Sequence, residues 1–422
     1  MPRCVYAVVL SALCGAIGCG AETPTRRRPS PATPPPAALP HPDDVLATLH
    51  RVFGAFSRDP VGHPVGGADW TWATYMLGVV QLHAVTGDGA LRAYAEDWAD
   101  ANGWKLPGYN FSRKETRTVV TPPGGAKLLP PPVIPSGPTN ANNELAGAVY
   151  VDLYLLDGPA RNATKINDTL RVLATQVARS ETADWTWLDA LHMAMGTFAR
   201  ACNVTGDDRY CAKMDALYDT AALAGPPDGV SRFAFYSPGD SLFYRDDSYI
   251  GARDPAGEKI FWARGNGWAL AALAYALQWL PAGWGRRAEY AGKFVVLAER
   301  LRSLHAAHQA AGSAPDGCWR ASLTNPGRFP NPETTGTALF TYGMAWGVNH
   351  GYLRARDFEP VLASAWGCLS GVAVQEPSGQ LGSCQPGGGQ PAPAYANFTD
   401  DYCVGNFLMA GTELVRLLRA KE

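Results

Sequence analysis

Apolar and polar positions along this chain sort into two kinds of helical segment that alternate, with almost none of the two-residue alternation a strand requires. One kind is apolar, rich in Ala and Gly and low in charge. It predicts helices over 70–85, 143–157, 187–201, 266–280, 336–351 and 403–418. The other is amphipathic and charged, and predicts helices over 43–57, 89–103, 165–180, 208–224, 286–309 and 357–373. A helix with little charge is buried on most sides, whereas a charged helix keeps one face in water. Six of each in alternation predict two concentric rings, an all-α (α/α)6 six-hairpin barrel. An open helical solenoid competes with it, but solenoid repeats keep a more constant period than these segments do.

Turn chemistry supports the rings. Val85-Thr86-Gly87-Asp88 and Val204-Thr205-Gly206-Asp207 each follow an apolar segment and precede a polar one. Glycine ends a helix in a left-handed cap, and aspartate caps the next. Long Pro-, Gly- and aromatic-rich stretches at 104–140, 225–262, 310–335 and 374–402 all precede apolar segments. They are expected to gather at one end of the barrel, around the N-terminal ends of the inner helices, and long loops in a compact domain tend to be functional.

The 422 residues, 46% of them hydrophobic, suffice for a large core. A net charge of −2 leaves no electrostatic footprint for nucleic acid, and the one basic run, Arg26-Arg27-Arg28, lies among prolines. Residues 1–21 read as a signal peptide, with Arg3 ahead of an apolar stretch, Val5 to Ile17, too short to span a bilayer. Residues 22–42 form a Pro-rich linker and 43–422 the barrel domain, so a secreted protein is expected. Membrane attachment would come only through a lipid on Cys19, although Ala16 fits that motif poorly. Six cysteines follow the leader: Cys202, Cys211, Cys318, Cys368, Cys384 and Cys403. An even number favours disulfides in an exported chain, and Cys202–Cys211 is the easiest pair to believe. Sequons at Asn110, Asn162, Asn167, Asn203 and Asn397 make glycosylation plausible. No CxxC, HExxH or histidine cluster marks a metal site, and neither metal nor organic cofactor is expected. A monomer is expected.

Four constellations carry candidate chemistry. In Asp184-Trp185-Thr186-Trp187-Leu188-Asp189-Ala190-Leu191-His192, the Asp189 carboxyl lies close to aromatic and apolar side chains. Burial raises a carboxyl pKa, which would let Asp189 hold a proton and act as general acid. The structural alternative makes Thr186 and Asp189 a helix cap, which leaves the two tryptophans unexplained. In Phe261-Trp262-Ala263-Arg264-Gly265-Asn266-Gly267-Trp268, Asn266 reads as an N-cap with Arg264 just outside the helix. A guanidinium beside free backbone N–H groups makes a carboxylate site, and tryptophan faces suit sugar stacking. An Arg264–Asp ion pair is the structural alternative. Asn331-Pro332-Glu333-Thr334-Thr335-Gly336-Thr337 and Thr139-Asn140-Ala141-Asn142-Asn143-Glu144 each open an apolar helix, and plain capping explains either equally well. Leu242 to Asp247 adds Arg245 and two carboxylates.

At these residues the sequence resembles the unsaturated uronyl hydrolases of glycoside hydrolase families 88 and 105, especially unsaturated rhamnogalacturonyl hydrolases. The matching pieces are Trp187 to Leu191, Leu242 to Tyr249, Trp262 to Trp268, Glu333 to Thr337 and Tyr402 to Leu408. The resemblance implies a six-hairpin barrel acting on a 4,5-unsaturated uronic acid at the end of an acidic oligosaccharide. It implies Asp189 as proton-transfer residue, with Asn142, Trp187, Arg245, Arg264, Trp268, Thr334 and Thr335 as substrate contacts. One departure stands out. Related enzymes usually carry an aspartate in the segment matched by Asn142-Asn143, where an amide would keep a hydroxyl in position but take no proton. Two other functions compete: a conventional inverting glycosidase pairing Asp189 with Glu144, Asp400 or Asp401, and a non-catalytic carbohydrate-binding protein.

Overall fold

A computed structural model describes residues 38–58, 66–107, 140–223, 234–388 and 391–422. The expected signal peptide, Cys19, most of the linker and the Asn110 sequon lie outside the described residues. Twelve helices make up the barrel: α1 (Pro42–Arg58), α2 (Trp70–Thr86), α3 (Gly89–Ala101), α4 (Ala141–Leu156), α5 (Thr164–Val177), α6 (Asp189–Thr205), α7 (Asp208–Tyr218), α8 (Ala263–Trp279), α9 (Arg287–Ala310), α10 (Thr334–Asn349), α11 (Ala355–Cys368) and α12 (Asp401–Arg419).

The even-numbered, apolar helices form a closed ring in which α2, α4, α6, α8, α10 and α12 each pack on the next and α12 returns to α2. Each of α3, α5, α7, α9 and α11 packs outside the inner helix that precedes it, and α1 packs on α12. The first helix therefore completes the hairpin of the last. Both repeated turns behave as read: Gly87 (φ 70°) and Gly206 (φ 69°) end their helices left-handed, and Asp88 and Asp207 cap the next. α7 and α11 each run on into a wider turn, Asp219–Leu223 and Leu369–Ala373, so both predicted segments exceed the α-helix proper. One two-residue hairpin, Tyr236–Ser237 against Leu242–Phe243, interrupts the 234–262 loop.

Aromatic side chains fill the ring below its N-terminal end. His192 of α6 lies 4.2 Å from Trp268 of α8 and 5.6 Å from Tyr275, which is 5.8 Å from Tyr342 of α10, all as ring centroids. Three disulfides tie the periphery. Cys202–Cys211, the expected pair, staples α6 to α7; Cys318–Cys368 ties the 310–333 loop to α11; Cys384–Cys403 ties the 374–400 loop to the first turn of α12.

Candidate active site

Hydrogen bonds between segments show that the loops meet where the inner helices begin. Leu188 N donates to Arg245 O (2.6 Å), Ala263 N to Ala321 O (3.0 Å) and Thr334 N to Ser383 O (2.9 Å). Thr71 Oγ1 at the start of α2 donates to Asp401 Oδ2 at the start of α12 (2.7 Å). The 310–333 and 374–400 loops therefore cover the same end as Asp189, as their position before apolar helices required.

Asp189 is the first residue of α6 and Leu188 its N-cap, with no side-chain capping bond. That corrects the capping alternative, which placed the cap at Thr186 and Asp189 in the third helical position. Trp185 and Trp187, just ahead of it in the chain, are both buried. Asp189 keeps part of its surface exposed, while its Oδ2 is shut off from solvent and has no hydrogen-bond partner among the described residues. Burial pushes its pKa above the ordinary aspartate value; the charges of Arg245 and Arg264 pull the other way, and Asp246 adds to the rise. The carboxyl thus combines burial with two nearby cations.

The two arginines differ. Arg245 is buried and ion-paired with Asp246 (Nη1–Oδ2 2.6 Å), and Asp246 also accepts from Ser248 N (2.9 Å). Arg264 is buried too, but its planar head is held by neutral groups. Nη1 donates to Gln385 O (2.7 Å) and Nη2 to Pro386 O (3.1 Å), with the rings of Trp262 and Tyr402 at 4.6 and 5.2 Å from Cζ. Glu333, which feels its charge, is engaged elsewhere: its oxygens accept from Thr335 N (2.8 Å) and Gly336 N (2.7 Å) at the start of α10. No carboxylate among the described residues forms an ion pair with Arg264, against the structural alternative given for it.

Arg264 is also not outside the helix. α8 begins at Ala263 with Trp262 as N-cap. Asn266, read from sequence as the cap, instead uses its amide to fix the neighbouring loop: Oδ1 accepts from Phe243 N (2.8 Å) and Nδ2 donates to Phe243 O (3.0 Å). A short amide ahead of an apolar run looks the same in either role.

Trp268 is fully buried. Its ring lies 6.5 Å from Trp70 of α2, directly across the barrel, and its Nε1 has no partner among the described residues. Asn142, in the first turn of α4, is half-buried, and its backbone N–H donates to the cap Asn140 Oδ1 (2.9 Å). Thr334 and Thr335 are buried, with both hydroxyls engaged inside the protein: Thr334 Oγ1 donates to Gly382 O (2.8 Å) and Thr335 Oγ1 to Glu333. Glu333, not either threonine, caps α10, and both threonine hydroxyls are taken up within the protein. The carboxylates offered for an inverting pair have partners within the protein. Glu144 accepts from Gln176 of α5 on the outer side of the ring, Asp401 from Thr71 on the α2–α12 seam, and Asp400 from Asp401 N (3.0 Å).

Sequence reasoning missed Trp70, Tyr402 as a ring on Arg264, and Gln385. Trp70 contacts Trp268 only because the barrel closes. Gln385 meets Arg264 through its backbone carbonyl, which any residue possesses, while its side-chain amide holds Trp262 and Ala392.

Comparison with known proteins agrees with this geometry. The sequence profile of glycosyl hydrolase family 88 matches residues 60–418. A solved family 88 glycosyl hydrolase from Bacteroides vulgatus is 30% identical, with 90% of this chain and all of that one (100%) covered and a TM-score of 0.74. A second solved structure, described as a polysaccharide lyase, is also 30% identical, covering 90% of this chain and 98% of that one with a TM-score of 0.74. An unsaturated 3S-rhamnoglycuronyl hydrolase of Formosa agariphila is 28% identical over 366 residues, 84% of this chain and 87% of that protein.

Proposed function

Because the chain belongs to glycosyl hydrolase family 88 and is a glycoside hydrolase, we propose that it releases a terminal 4,5-unsaturated uronic acid from lyase-generated acidic oligosaccharides. The observation that carries this reading is the pairing of a carboxyl of raised pKa, Asp189, with a buried guanidinium, Arg264, that forms no ion pair with a carboxylate among the described residues. A buried cation is costly unless compensated, and the two carbonyls and two aromatic faces compensate it only in part. An anionic sugar supplies the missing charge. The name of the Formosa relative supports the same substrate class.

The chemistry follows from the substrate's enol ether. Asp189 gives its proton to C4, and positive charge develops at C5 and the ring oxygen. Water adds at C5 and returns a proton to the Asp189 carboxylate. The resulting hemiketal opens, and the former glycosidic carbon, now a hemiacetal, expels the remaining oligosaccharide. One carboxyl therefore suffices, whereas ordinary glycoside hydrolysis needs two flanking the bond. Trp187 borders the sugar, Trp268 backs the site from within the core, Arg245 and Arg264 set the charge of the site, and Asn142 holds a ring hydroxyl.

A second reading comes from the lyase-described relative: elimination on a saturated uronide, which creates the double bond. The two reactions change ultraviolet absorbance in opposite directions. Incubation with lyase-generated oligosaccharides from pectin, ulvan, arabinogalactan and glycosaminoglycans should lower the absorbance of the conjugated double bond with at least one of them. A rise on the intact polysaccharides would establish the lyase instead. In the same assay Asn142→Asp should change turnover little; restoration of an inert wild type by that substitution would mark a lapsed enzyme.

A further inference from the structure

The place of Arg264 depends on one short stretch of the 374–400 loop. Gln385 O accepts from Arg264 Nη1 (2.7 Å) and also from the hydroxyl of Tyr402, whose ring lies against the same guanidinium. Pro386 O accepts from Nη2 (3.1 Å). The Gln385 side chain, fully buried, accepts from Trp262 Nε1 (2.7 Å) and donates to Ala392 O (2.9 Å), so it also fixes the second ring against Arg264. Directly before Gln385 stands Cys384, and directly after Tyr402 stands Cys403; these two are disulfide-bonded, with Cα atoms 6.1 Å apart. The covalent bond thus lies one residue from each of the two groups, Gln385 and Tyr402, that meet around the guanidinium. A hydrogen bond between Cys384 N and Phe398 O (3.2 Å) supports the loop on its other side.

A flexible side chain binds a planar anion well only if its fork is already oriented, since ordering it at the moment of binding costs free energy. Backbone carbonyls orient it only if the backbone itself cannot move. Asp189, in contrast, sits on α6, whose start is tied to the 242–249 segment through Leu188 N and Arg245 O. We infer that Gln385 and the Cys384–Cys403 bond form a strap that positions Arg264, and so set affinity for the substrate's carboxylate without governing proton transfer. The inference rests on the anion-binding reading of Arg264.

Two variants test the strap: Gln385→Leu, which keeps the disulfide, and Cys384→Ser/Cys403→Ser, which removes it. Cys202→Ser/Cys211→Ser, at the far end of α6, is the control for loss of a disulfide as such. Steady-state kinetics are measured on an unsaturated uronide and on its uncharged methyl ester. Both strap variants should raise KM for the free acid roughly tenfold, leave kcat within about threefold, and leave KM for the ester unchanged. The control should match wild type. Equal losses on acid and ester, or a fall in kcat at unchanged KM, would overturn the strap. If the double variant does not fold, Gln385→Leu decides alone. Should wild type turn over no unsaturated substrate, the functional reading fails, and the strap is judged by glucuronate binding followed through tryptophan fluorescence. Weaker binding in Gln385→Leu than in wild type supports it; equal or absent binding in both overturns it.

Discussion

At the scale of single residues, the site turns on a carboxyl and a guanidinium whose environments are opposite in kind. Burial raises the Asp189 pKa, and nearby cations limit the rise. Asp189→Asn keeps the shape and removes the proton, so turnover should fall by about 10²–10⁴-fold while oligosaccharide binding, measured by calorimetry, is retained. Activity requires the protonated acid, and should decline as pH rises through its elevated pKa. Removing a cation that lowers this pKa raises it further, so Arg264→Leu should move the basic limb of kcat to higher pH; an unchanged limb would separate Arg264 from Asp189. These two residues were legible in the sequence because each stands in a tryptophan-rich motif at the head of an apolar helix. Gln385 was not, since the backbone carbonyl it offers Arg264 leaves no mark on residue identity. Asn266 was misread because capping a helix and pinning a loop ask for the same short amide.

At the scale of helices, the alternation of low-charge and amphipathic segments located all twelve described α-helices, though it overran α7 and α11 and did not foresee the 236–243 hairpin. What the pattern could not reveal is which buried polar groups face inward. Glu144 was a candidate catalytic partner from its place at the head of α4, yet it is buried against α5. Its Oε1 accepts from Gln176, while its Oε2 and Gln176 Oε1 have no partner among the described residues. Desolvation, with the charge of Asp184, raises its pKa well above the ordinary glutamate value. The unfolded chain therefore ionises this group at a lower pH than the folded one. Its stability contribution is complete below the unfolded glutamate pKa and is lost as pH rises from there to the folded value. Glu144→Gln removes that loss and lets the two amides pair reciprocally. Thermal unfolding should show the variant level with wild type near pH 4 and more stable at pH 7 by about 1–3 kcal/mol. A variant no more stable at pH 7 would contradict the buried, protonated assignment.

At the scale of the whole molecule, closure of the ring brings the functional groups together, and closure depends on the seam between α12 and α2. A Cβ on Gly405 would lie 2.3 Å from Thr74 O, and one on Gly78 would lie 2.6 Å from Gly405 O. Neither contact can be relieved by a side-chain rotation, because the obstacles are backbone. Gly405→Ala should therefore destabilise the fold by about 1–3 kcal/mol or more, read by denaturant unfolding; a neutral effect would mean the seam is looser than described. The same seam sets Trp70 opposite Trp268 and Tyr402 beside Arg264, contacts between distant parts of the chain that no local pattern encodes. The central claim is that this assembled site hydrates a C4–C5 double bond through Asp189. The most direct measurement is turnover of an unsaturated oligosaccharide in D2O with magnetic resonance of the released sugar. The account predicts loss of the double bond and one deuterium at C4. A released sugar that retains its double bond and carries no deuterium would contradict it.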